Sequence, residues 1–164
     1  MAQSVEHAQS EPTLEIVLMS RTHVDEVLDI ERESFANPWR RRDFEYALDR
    51  SNGFAIVAHQ SALAVGYAIG FFVRGEFHLA SLAVRRGLRQ RGLGAALLSR
   101  VIEVARERGA RVVTLEVRMS NASAISLYEK AGFSRIAIRE DYYSHPPEDA
   151  LVMMKTLRDN PWGP

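Results

Sequence analysis

The sequence predicts an α/β fold of the α+β kind: one mixed, mostly antiparallel sheet of about six to seven strands, flanked by about four helices. Three observations predict it. Three apolar runs between Phe54 and Val84 follow one another with only short connections, the pattern of an antiparallel meander. Strand and helix patterns then alternate to the end of the chain, which implies at least one right-handed parallel crossover and hence a mixed sheet. Finally, 164 residues with no internal repeat and no low-complexity linker are most simply one domain with a sizeable core.

Taken in order, residues 1–12 are polar and without period, and read as a disordered tail ahead of a domain spanning 13–157. Leu14 to Met19 is a short first strand. Ser20 or Thr22 can cap the following helix, in which Val24, Val27, Leu28 and Ile30 carry helical spacing toward Phe35. Asn37 is the expected cap of a second helix, with Pro38 at its first position and a stripe of Phe44, Ala47 and Leu48 reaching about Asp49. The strands Phe54–His59, Leu63–Val73 and Phe77–Val84 turn at Gln60–Ser61 and at Arg74–Gly75–Glu76.

Leu93 to Arg108 is the most regular helix, with Leu93, Leu97, Val101, Val104 and Ala105 on one stripe and Gly109 as its stop. Arg111 to Arg118 is rich in β-branched residues and reads as a strand. Ser120 or Asn121 then caps a helix ending near Lys130, with Gly132 as its stop. Phe133–Arg139 is a strand, Glu140–Asp149 a loop and Ala150–Leu157 the last strand. Residues 158–164, with two prolines, form a loose tail.

Composition removes several functions. Lys+Arg and Asp+Glu both number 21, so no net charge points toward nucleic acid or an acidic membrane. There is no cysteine, hence no disulfide, thiolate metal ligand or cysteine nucleophile. His59 and His78 lie in strands without companions at ligand spacing, and no metal is expected. No apolar run reaches the length of a membrane span and the first residues lack a signal core, which leaves the cytoplasm as the default. Oligomeric state is not legible.

Chemistry concentrates in a few places. Between Val84 and Leu93, a loop bearing Arg85, Arg86, Arg89, Arg91 and glycines joins a strand to a helix. Glycines admit close backbone approach, and a helix start offers unpaired N–H groups and a positive dipole end, so a phosphate-bearing anion fits. A solvated surface turn fits as well. The spacing of Gly87, Gly92 and Gly94 matches neither G-x-x-x-x-G-K-[ST] nor G-x-G-x-x-G.

In the strand 111–118, alternation puts Thr114, Glu116 and Arg118 on one face. On residue type alone Glu116 reads as the partner of Arg118 in a salt bridge, although a carboxylate in a sheet centre asks for a reason. Tyr128, on the next helix, reads alone as a core ring with its hydroxyl on a partner or water. Trp39 reads as a hydrophobic anchor, and Tyr142–Tyr143 as loop aromatics packing locally.

Taken together these segments resemble the GNAT superfamily of acetyl-CoA-dependent N-acetyltransferases. Arg89-Gln90-Arg91-Gly92-Leu93-Gly94 resembles its (Q/R)-x-x-G-x-(G/A) signature. Leu115-Glu116-Val117-Arg118-Met119-Ser120-Asn121 and Ala124-Ile125-Ser126-Leu127-Tyr128-Glu129-Lys130-Ala131-Gly132-Phe133 resemble the most specific block of its RimI-type N-terminal acetyltransferases. Phe35 to Trp39 and Asp141-Tyr142-Tyr143 followed by Glu148-Asp149-Ala150 are similar to two further segments of that branch, and His145-Pro146-Pro147 departs from it. The likeness covers about residues 13–157.

The resemblance implies the fold given above and acetyl transfer from acetyl-CoA to a protein N-terminal α-amine, an alanine on a ribosomal protein being the expected acceptor. It implies coenzyme A against Leu82, Ala83, Val84, Gln90, Arg91, Gly92, Leu93, Gly94, Ala95 and Asn121. Glu116 is then the general base and Tyr128 the general acid, with Trp39, Tyr142 and Tyr143 on the acceptor side. Such chemistry needs a carboxylate to take the amine's proton and a phenol to supply one to the leaving thiolate. It also needs a backbone N–H for the oxyanion. A lysine, a polyamine or another small amine as acceptor, and a non-catalytic acyl-CoA sensor, are the rival expectations.

Overall fold

The computed structural model describes residues 12–158, and apart from Pro12 and Arg158 the two expected tails lie outside those residues. One sheet runs in the order β1-β2-β3-β4-β5-β7-β6. Its strands are β1 (Leu14–Leu18), β2 (Gly53–Gln60), β3 (Leu63–Val73), β4 (Glu76–Val84), β5 (Val112–Arg118), β6 (Ser134–Ser144) and β7 (Pro147–Thr156). Four α-helices flank it: α1 (Val24–Ser34), α2 (Arg41–Asp49), α3 (Leu93–Glu107) and α4 (Ala122–Lys130). Every neighbouring pair is antiparallel except β4–β5, which is joined through α3 and is parallel. This is the mixed sheet that the alternation of patterns predicts.

The meander turns through two-residue connections, Ser61–Ala62 and Arg74–Gly75, in which all four residues have positive φ. That geometry matches the twist of the flanking strands. Apolar alternation then sorts the core onto two faces. Phe77, Leu79, Val113, Leu115 and Met153 meet α3 and α4 on one side. Val57, Tyr67, Ile69 and Ala83 meet α1 and α2 on the other. The buried stripe of α3 is wider than the sequence spacing implies, because Leu98 and Ile102 are buried too.

Two expectations about local structure are corrected. The second helix starts at Arg41, not after Asn37: the Trp39 N–H is taken by the Glu31 carboxylate (2.9 Å), and the Arg40 N–H by Asp43 (2.7 Å). Residues 140–149 are not a loop. β6 runs on to Ser144 and pairs with β7 through Tyr143–Glu148 and Ser144–Pro147, after a register shift at Arg139/Tyr143 and a positive φ at Asp141. His145 and Pro146 alone close that hairpin, and the bond between them is cis.

The sheet is opened at its centre, and this positions the site. β4 pairs with β5 only through Glu76–Leu79 opposite Val112–Leu115, yet β4 continues to Val84 and β5 to Arg118. The opening begins where β4 carries an extra residue: Gly70 faces Leu79 and Ile69 faces Ser81, so Ala80 is a β-bulge that bends the strand. Beyond it, backbone polar groups of 80–84 are released from β5 toward a cleft.

Connected to this bulge through Tyr67 is Glu31 on α1, a charged side chain only 1% exposed. It accepts hydrogen bonds from the Trp39 N–H and the Tyr67 hydroxyl, and Tyr67 Oη lies 2.8 Å from Ser81 Oγ, next to the bulge. Burial pushes the Glu31 carboxyl up and the Tyr67 phenol well up. Glu31→Ala removes the shared acceptor of two donors at once, and a donor left unsatisfied costs about 1–3 kcal/mol. We expect a stability loss of about 2–3 kcal/mol in urea unfolding, with Glu31→Gln retaining most of it because an amide oxygen still accepts one bond.

Candidate active site

One wall of the cleft is the β4–α3 connection. α3 starts at Leu93 without a side-chain cap, its N-cap Gly92 has φ 82°, and Gln90 has φ 60°. Alternating left-handed residues ahead of a helix start turn successive N–H groups toward one concavity, the arrangement called a nest. Nothing lies within 4 Å of where a Cβ on Gly92 would sit, so the concavity is open. The concavity suits a phosphate-bearing anion such as the pyrophosphate of coenzyme A that the sequence resemblance implies. Gly92→Ala forces a side-chain-bearing residue into the left-handed region at about 1–2 kcal/mol. We expect roughly tenfold weaker coenzyme A binding by calorimetry, with an unchanged melting temperature if the loop relaxes.

The basic loop is less free than its composition implies. Arg85 Nε donates to the Ala64 carbonyl and Arg89 Nε to that of Val84. Arg86 is bound to Glu33 through its backbone N–H and its guanidinium, and Arg89 reaches Ser34 Oγ. Three of the four arginines therefore fasten the loop to β3, β4 and the end of α1. Arg91, by contrast, is exposed beside the backbone nest.

The opposite wall carries Glu116. It does not pair with Arg118. Its Oε2 lies 2.5 Å from His78 Nε2 on β4 and its Oε1 lies 3.5 Å from Arg139 Nη2 on β6. The hydrogen bond from His78, with a lesser contribution from the charge of Arg139, outweighs desolvation and holds the carboxyl below its ordinary range. Arg118 instead donates to the His145 and Pro146 carbonyls, lies 3.5 Å from Glu148, and places its guanidinium 4.2 Å from the centre of the Tyr143 ring. It shapes the β6–β7 hairpin and leaves Glu116 to the cleft.

Tyr128 is 7% exposed and packs against Phe133, so the expected core ring is present. Burial, reinforced by the nearby Tyr143, pushes its phenol well up, and it remains a donor at neutral pH. Tyr142 and Tyr143 meet edge to face at 5.0 Å, and both phenols are raised chiefly by burial, Tyr143 to about 12. Their electrostatic influence on one another and on Glu116 brings the carboxylate and the phenols into one neighbourhood.

Asn121 caps α4 by accepting the Ala124 N–H at its side-chain oxygen (3.2 Å), which leaves its amide nitrogen for another partner. Leu82, Ala83 and Val84 lie on the freed stretch of β4. Trp39 is half-buried against Phe44 at 5.2 Å, the anchor expected from its residue type.

Sequence reasoning misses His78, Arg139 and Glu31 as members of this constellation. In the sequence His78 stands only as a lone histidine. Its alternation with Phe77 and Leu79 does place it on the face opposite theirs, which is the available signal. Among the described residues no group of three or more His, Asp or Glu side chains is placed to hold a metal ion. No described helix is long and apolar enough to cross a membrane.

Comparison with known proteins gives the family and fold likeness of the chain. Residues 24–133 match the family model described as the Acetyltransferase (GNAT) family. A putative ribosomal protein bS18-alanine N-acetyltransferase of Bacillus subtilis is 33% identical over 138 residues, covering 83% of this chain and 91% of that protein. The bS18-alanine N-acetyltransferase of Escherichia coli is 35% identical over 138 residues, covering 82% and 92%. The crystal structure of the Escherichia coli ribosomal-protein-S18-alanine N-acetyltransferase superposes with a TM-score of 0.82 at 32% identity, covering 88% of this chain and 94% of that one.

Proposed function

The chain belongs to the acetyltransferase (GNAT) family, acetyl-CoA-dependent enzymes, and from that premise we propose that its acceptor is the N-terminal alanine of ribosomal protein bS18. The names of its relatives and the paired tyrosines over the cleft support that acceptor. Work on a ribosomal protein implies a cytoplasmic enzyme.

Bound acetyl-CoA supplies an activated acetyl thioester. The chain's own residues do the rest. The nest at Gln90, Arg91, Gly92, Leu93, Gly94 and Ala95 holds the pyrophosphate, and Asn121 offers its amide nitrogen to the same ligand. Leu82, Ala83 and Val84 line the freed edge of β4, where a backbone N–H stabilises the oxyanion. Glu116 takes the acceptor's proton and Tyr128 donates one to the departing sulfur. Trp39, Tyr142 and Tyr143 border the acceptor peptide. A single domain over 13–157 carries all of this.

The observation that carries the reading is the Glu116 carboxylate, 10% exposed at its side chain and held where β4 and β5 part, within electrostatic reach of the Tyr142 and Tyr143 phenols. The test is mass-resolved acetylation with acetyl-CoA and a peptide pool. The pool holds the bS18 N-terminal peptide, serine and methionine N-termini, N-blocked peptides with an internal lysine, and spermidine. Acetylation of free N-termini with the bS18 peptide leading is expected. Transfer to lysine or spermidine would overturn the acceptor, and binding without any transfer would favour a sensor.

A further inference from the structure

The reaction must dispose of a proton, and the surroundings of Glu116 say where it goes. At neutral pH the acceptor is an ammonium, so one N–H proton leaves before the nitrogen attacks. A second, lost from nitrogen as the amide forms, ends on the thiol. The first proton has no place in the products and must reach water.

Glu116 has little direct access to water, its side chain being 10% exposed. Two charged or titratable groups touch its carboxylate: Arg139 at Oε1 and His78 at Oε2. A guanidinium is already fully protonated and accepts nothing. His78 Nε2, 2.5 Å away, becomes an acceptor in the neutral Nδ1–H tautomer, and the side chain is 36% exposed. Its strand position suits a proton carrier, because it faces Thr114, one residue before β4 and β5 part after Leu79 and Leu115.

We propose that His78 carries the acceptor's proton from Glu116 to solvent, so that the base is a carboxylate–imidazole relay. This rests on Glu116 being the base. The ammonium N–H bond breaks as a carboxyl O–H forms. The resting ring donates its Nε2–H to the carboxylate; once it has exchanged to the Nδ1–H tautomer, the carboxyl O–H breaks as Nε2 takes that proton, and Nδ1 releases its own to water, returning the ring to the neutral Nε2–H form. No oxidant or further reactant is needed.

The direction is sound. The carboxyl lies below its ordinary range, so a proton rests there poorly and is passed on across the 2.5 Å contact to the more exposed ring. The other titratable or charged groups that face the pair are Arg139, Tyr142 and Tyr143 on β6. None of them is a proton acceptor at neutral pH.

The test uses the full chain, acetyl-CoA and the N-terminal peptide that the wild-type protein acetylates, with both substrates saturating. His78→Ala should lower kcat about tenfold or more while leaving the dissociation constant for acetyl-CoA unchanged. Added imidazole should restore it in proportion to concentration, which a merely structural histidine would not allow. His78→Gln, which fills the site and keeps a hydrogen bond to Glu116, should remain slow.

Wild-type kcat in His78→Ala, or full activity in His78→Gln, overturns the relay. Glu116→Gln separates the two readings. If it is slow and His78→Ala is not, the base stands and the relay falls. If Glu116→Gln itself turns over normally, the assignment of the base falls.

Discussion

Glu116→Gln lowers kcat by roughly a hundredfold to ten-thousandfold, the range over which general-base catalysis contributes. The dissociation constant for acetyl-CoA stays within about twofold, because an interaction made only in the transition state leaves ground-state binding alone. The separation follows from the sheet. Glu116 sits on β5 and touches β4 and β6, whereas the nest that fits the pyrophosphate lies at the start of α3. Glutamine keeps the volume and one hydrogen bond to His78 but has no proton affinity to offer. Equal losses in turnover and cofactor binding would show instead that the residue holds the cleft together.

The same substitution carries a signature in stability. The folded carboxyl lies below its ordinary value of 4.5, so its favourable interactions are present above that pH and lost as pH falls through the folded value. Urea midpoints of wild type and Glu116→Gln should therefore differ at neutral pH and converge in acid. A difference independent of pH would point to packing alone.

What is legible in the sequence is local. The stripe of α3, the Asn121 cap and the two tight turns of the meander rest on signals within a few residues, and the structure reproduces them. Family resemblance carries the rest of the site: it singles out Glu116 and Tyr128 where residue type alone favours a salt bridge and a core ring.

The misses are long-range. His78 and Glu116 are 38 positions apart, and Glu31 and Tyr67 are 36 apart, so no window of sequence joins them. Asn37–Pro38 is a good local start for a helix. It loses because Glu31, one turn back on α1, captures the Trp39 N–H and keeps the chain extended until Arg40. The β6–β7 hairpin is rich in charge and proline and reads as loop. It is held as strand by contacts from β5, with Arg118 binding the carbonyls at its tip and stacking on Tyr143.

Tyr128→Phe should lower kcat by about a hundredfold and change the KM for either substrate by no more than about twofold. One oxygen is removed from a ring packed against Phe133, so packing is kept and a loss of turnover reports the hydroxyl. A better-leaving thiol separates a proton donor from a space-filler. With a thioester whose thiol is more acidic, the departing sulfur needs less protonation, and the gap between wild type and variant should narrow. A gap of constant size would assign Tyr128 to architecture.

Alkaline behaviour gives a second check. Burial raises the phenol above its ordinary value of 10.0, so it remains a donor through the physiological range, and wild-type kcat should show no loss from this group below about pH 10. The linked stability has a matching sign. The preference for neutral Tyr128 is fully present below pH 10 and is lost as pH rises toward the folded value. Tyr67 and Tyr143, raised in the same direction, should retain part of the alkaline loss when Tyr128 is phenylalanine. The variant's unfolding midpoint should thus fall less steeply than that of wild type above pH 10, while its turnover stays low at every pH.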